Sequence, residues 1–101
     1  MGTRYFRAGN YYQSFGTTRY ISINSSLATE IILDSGFTAL SIFNQGSASL
    51  IWGDSNIAVN SGNYLYPSGR IEWNPINDAF SVFLISDSVG TLGMATIQEY
   101  K

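Results

Sequence analysis

Turn-forming residues interrupt this chain too often for helices of ordinary length, and that interruption constrains its fold more than any other feature. From Tyr20 onward apolar residues fall in short blocks, at 20–23, 30–33, 38–43, 48–52, 57–59, 64–66, 70–73, 80–85 and 91–100. Between them stand Asp34-Ser35-Gly36, Asn44-Gln45-Gly46, Gly53-Asp54-Ser55-Asn56, Asn60-Ser61-Gly62, Pro67-Ser68-Gly69, Asn74-Pro75 and Asp87-Ser88 with Gly90. Each break carries residues that accept tight-turn dihedrals. A strand roughly every 8–12 residues is the pattern of an all-β sandwich, jelly roll or small barrel. No helix is expected. A chain of 101 residues has room for one such domain and one core.

Alternation within the blocks refines the expectation. Phe80, Val82 and Leu84 point one way while Ser81, Phe83 and Ile85 point the other, so this strand reads as central and covered on both faces. Ile31 and Leu33 alternate with Glu30, Ile32 and Asp34, as on a half-exposed strand. Leu92 and Met94 set a phase that Ile97 breaks, which predicts a bulge or a change of face there.

Residues 1–19 behave differently and read as an extended N-terminal arm ahead of a sandwich at 20–101. Tyr5, Phe6, Tyr11, Tyr12 and Phe15 lie among Arg4, Arg7 and several glycines, with neither alternation nor a helical stripe. Arg4, Arg7 and Arg19 give residues 1–20 a charge of +3, and residues 21–101 carry −5. Six aromatics, counting Tyr20, are too many to leave in water. Two placements stand open: an edge strand folded over its own sandwich, or an arm laid on a neighbouring subunit through Arg4, Tyr5, Phe6, Arg7, Tyr11, Tyr12, Phe15 and Arg19.

The chemistry available is narrow. The sequence has neither histidine nor cysteine, which removes the commonest bases, nucleophiles and soft metal ligands. Gly53-Asp54-Ser55 has the look of an esterase serine block, but that serine needs a histidine to take its proton, so a turn is the better reading. Seven acids without a D-x-D-x-D-G spacing make no calcium loop, and as a glycosidase pair they would need a cleft that so small a sandwich hardly offers. The chain is therefore expected to be no enzyme and to use no cofactor. The low charge density argues against nucleic acid as a partner, and the lack of a long apolar run argues against a signal peptide or membrane span. Trp52, Tyr64, Tyr66 and Trp73 form a candidate ligand platform, since a sugar face stacks on a flat ring; core or interface packing is the plainer alternative.

Four segments in order, Ala39-Leu40-Ser41-Ile42-Phe43-Asn44-Gln45-Gly46, Leu50-Ile51-Trp52-Gly53-Asp54-Ser55, Tyr66-Pro67-Ser68-Gly69 and Phe83-Leu84-Ile85-Ser86-Asp87-Ser88, resemble small virion proteins of tailed bacteriophages. The resemblance spans roughly residues 27–101 and leaves the arm unmatched. It implies a β-sandwich decoration or cement protein on the capsid surface, made in the host cytoplasm. Such a protein binds the major capsid protein or other virion proteins as a homo-oligomer, with a trimer expected; a fibre or tail module that binds a receptor or carbohydrate is the alternative. It implies no catalytic residue.

Overall fold

Among the described residues, eight strands form where short apolar blocks meet turn residues. They are β1 (Arg19–Ile23), β2 (Thr29–Ile32), β3 (Ala39–Asn44), β4 (Leu50–Gly53), β5 (Asn63–Leu65), β6 (Arg70–Trp73), β7 (Ser81–Ser86) and β8 (Gly93–Tyr100). The computed structural model describes residues 18–32, 36–73 and 81–100, and no helix occurs among them. One predicted block is not a strand. Residues 57–59 lie in the β4–β5 connection, where Ala58 and Ser61 make an isolated bridge. Ile57 lies against the sheet instead: a Cβ on Gly53 would fall 2.7 Å from its Cγ2.

The strands pair antiparallel into two sheets, β1-β8-β3-β6 and β2-β7-β4-β5. The pairs Arg19↔Ile97, Thr29↔Leu84, Leu40↔Trp73 and Leu50↔Leu65 step inward from the chain ends toward the β4–β5 turn. The chain thus behaves as one long hairpin ribbon rolled so that successive pairs fall in alternate sheets. That is the arrangement of a jelly-roll sandwich, one of the all-β architectures the strand spacing left open.

Inward-facing side chains close the core. Ile23, Leu40, Ile42, Ala95 and Ile97 from the first sheet meet Ile31, Leu50, Leu65, Val82 and Leu84 from the second. At about 25 cal/mol per Å² of apolar surface removed from water, each fully buried Ile or Leu contributes on the order of 2 kcal/mol before entropy is charged against it. As predicted, β7 is interior to its sheet and covered on both faces, with Val82 and Leu84 inside and Ile85 buried on the opposite side.

The bulge expected near Ile97 does not form. The registers of β8 with β1 and with β3 run unbroken, and its inward residues are Gly93, Ala95, Ile97 and Glu99. Leu92, which suggested the opposite phase, is an exposed loop residue. Gly93 faces inward because Leu50 fills the space a side chain would take: a Cβ there would lie 2.4 Å from Leu50 Cδ2. Gly62 is fixed in the same way over Ile51, at 2.3 Å, and its φ of +148° also favours glycine.

Four polar residues are buried among those described, Ser41, Asn44, Ser86 and Glu99, and two of them tie elements together. Asn44 is fully buried; its amide donates to the carbonyls of Ala48 and Leu65, both at 2.9 Å, and its Oδ1 accepts the Gly46 N–H at 3.0 Å. This stitches the β3–β4 turn to β5 with each bond satisfied, which is what makes burial of an amide tolerable. Glu99, directly opposite Leu40 and fully buried, meets Arg19, whose Nη2 donates to Glu99 Oε2 and to the Ile32 carbonyl, each at 3.3 Å. One guanidinium therefore ties β1 and β8 to β2 of the facing sheet.

Candidate functional site

The outer face of the β2-β7-β4-β5 sheet is the most distinctive surface of the sandwich. Strand alternation turns Phe83 and Ile85 of β7 outward there, and the β4–β5 connection folds back across the sheet without covering them fully. A groove of about 490 Å³ remains, floored by Phe83 and Ile85 and walled by residues 25–28 on one side and by Ser55 and residues 57–59 within the 55–59 segment on the other. Leu27 stands at its margin, 72% exposed.

Three acids lie near this apolar trough, though none lines it. Glu30 is exposed and directly opposite Phe83 in the β2–β7 register, which places it on the same face. Asp54 immediately precedes that 55–59 wall; its Oδ1 accepts the Asn56 N–H at 2.8 Å in the turn expected for Gly53-Asp54-Ser55. Asp87 Oδ1 accepts the Asn60 N–H at 3.3 Å, which ties the β7–β8 connection to the end of the same wall. No Arg or Lys occurs among the described residues of these four strands or of the connections at 24–28, 53–62 and 86–92. A cationic ligand would meet acids and no opposing base there.

The four aromatics of the sequence platform do not meet on one face. Trp52 faces inward from β4 and packs edge-on against Trp73 of β6, with ring centroids 5.4 Å apart and planes at 83°, where both rings cover the core between the sheets. Tyr64 and Tyr66 form a separate edge-on pair on the outer side, with centroids 5.7 Å apart; both are exposed. The Tyr64 hydroxyl donates to Asn60 Oδ1 at 3.2 Å. Loss of hydration against the connection, reinforced by the nearby Asp87 carboxylate, raises the Tyr64 phenol above its ordinary pKa.

Of the arm residues, Arg19 belongs to the sandwich as the first residue of β1, where it holds Glu99. Arg4, Tyr5, Phe6, Arg7, Tyr11, Tyr12 and Phe15 lie outside the described residues. Sequence reasoning missed the groove. Its signals were Ile57-Ala58-Val59, an apolar run with turn groups on both sides, and Leu27 after Ser25-Ser26. No family model, no curated protein and no solved structure matches the chain.

Proposed function

We propose that this chain is a non-catalytic structural module that decorates a virion shell, docking on the major capsid protein or a neighbouring virion protein through its N-terminal segment. The observation that carries the reading is the join at Arg19. Immediately before it the sequence holds two arginines, five aromatics and no acid within residues 1–17; immediately after it comes an acidic jelly roll held at that point by the Arg19–Glu99 pair. Aromatic and arginine residues are those that binding interfaces favour, and an ordered anchor transmits their attachment to the body. Binding to the assembled lattice alone stabilises that lattice by mass action. Jelly rolls serve in capsids and in lectins alike, so the fold supports the reading by analogy only.

The test is the copy number of the chain on purified particles. A number matching a repeated symmetric site of the shell supports decoration; absence from particles rejects it. A carbohydrate-binding reading is favoured by one observation, the exposed Tyr64–Tyr66 pair beside Asn60. It requires glycan-array binding that Tyr66→Ala abolishes, and an empty array rejects it.

A further inference from the structure

We propose that the groove on the outer face of the β2-β7-β4-β5 sheet receives residues 1–17 of a second copy of this chain. The inference deepens the docking reading but does not need the virion. Its first support is complementarity. The groove has an apolar floor, Phe83 and Ile85; Glu30 stands beside Phe83 on the same face, Asp54 immediately precedes the 55–59 segment, and Asp87 accepts a hydrogen bond from Asn60 just after it. The segment offers the reverse, aromatic rings for the floor and Arg4 and Arg7 for the carboxylates. Phe83 is only half-buried and Leu27 stands exposed at the margin, so the groove has apolar surface left to cover.

The second support is direction. Thr18 hydrogen-bonds to Gln98, which faces outward from β8 in the other sheet, so the chain enters the sandwich on the face opposite the groove. It also enters at the far end, because the 25–28 wall follows the last residue of β1 and Thr18 precedes the first. A segment bound for its own groove would have to round the sandwich edge, past two sheets about 10 Å apart, and then run the length of a strand. Roughly 55 Å of extended chain spans either path, but a neighbour's groove can be entered without that detour, and the cross-link separates the two placements. The contact is head-to-tail, so it builds a closed ring where the rotation allows.

The absence of cysteine makes a direct test simple. Full-length Ala8→Cys and full-length Ala58→Cys are mixed and oxidised, with exposed Ser22→Cys on the opposite face as the control partner. The expected product is a mixed disulfide dimer of the first two, several-fold above the Ala8–Ser22 product, and reduced by Glu30→Lys or by Arg4→Glu with Arg7→Glu. Sedimentation of the uncrosslinked chain should show self-association that each charge reversal weakens by about tenfold or more. The proposal is overturned if the Ala8→Cys/Ala58→Cys double variant links only within one chain, or if the mixed dimer does not exceed the control. Because both readouts use purified protein without particles, their failure leaves docking on other virion proteins standing, and absence from particles leaves the groove contact standing.

Discussion

Arg19 Nη2 lies 3.3 Å from Glu99 Oε2 inside the end of the sandwich, and the same nitrogen reaches the Ile32 carbonyl of the facing sheet. The pair holds the start of β1 to β8 and to the facing sheet. Removal of one partner from a buried pair leaves the other charge without compensation; because the Arg19 side chain is 32% exposed, water screens part of that loss. Arg19→Ala should cost about 1–3 kcal/mol in chemical denaturation. A chain starting at Thr18 should unfold within about 1 kcal/mol of the full protein, whereas one starting at Tyr20 should show the Arg19→Ala loss. Equal midpoints for the two truncations would contradict this role.

Gly93 and Leu50 are predicted to be strongly coupled. Gly93→Ala pushes a methyl into Leu50 Cδ2 and should destabilise by about 1–3 kcal/mol. In a Leu50→Ala background the same change should cost close to nothing, which a double-mutant cycle reads directly.

Asn44→Leu should destabilise by about 2–4 kcal/mol, because it strands the carbonyls of Ala48 and Leu65 and the Gly46 N–H together. Loss of hydrogen-exchange protection centred on the β3–β4 turn and β5 would accompany it.

Tyr64 should titrate above an ordinary tyrosine, as followed by the phenolate absorbance lost in Tyr64→Phe, and Asp87→Asn should bring it down. Since the folded state holds this proton more tightly than the unfolded one, its contribution is complete below pH 10.0, the ordinary value, and fades as pH rises through the higher folded pKa.

The strands were legible because each apolar block is short and closed by turn residues, and the interior place of β7 was legible because Val82, Phe83, Leu84 and Ile85 are apolar on both phases. The phase of β8 was not, because the usual signal was inverted at two positions. Gly93 is inward for lack of a side chain, and Glu99 is inward because Arg19, eighty residues away, compensates its charge. No window of sequence shows a partner at that distance. The division of the four aromatics between two faces was not legible for a related reason. Trp52 and Tyr64 lie in adjacent strands, yet one faces the core and the other the solvent, since Trp52 pairs with Asn63 and Tyr64 with Ile51.

The central claim is that residues 1–17 attach this acidic jelly roll to an assembly. Its most direct measurement is the number of copies bound per purified particle for the full chain and for a chain starting at Thr18, with both shown to be folded. The account predicts symmetric, saturable occupancy for the first and almost none for the second. Equal occupancy of the two would contradict it.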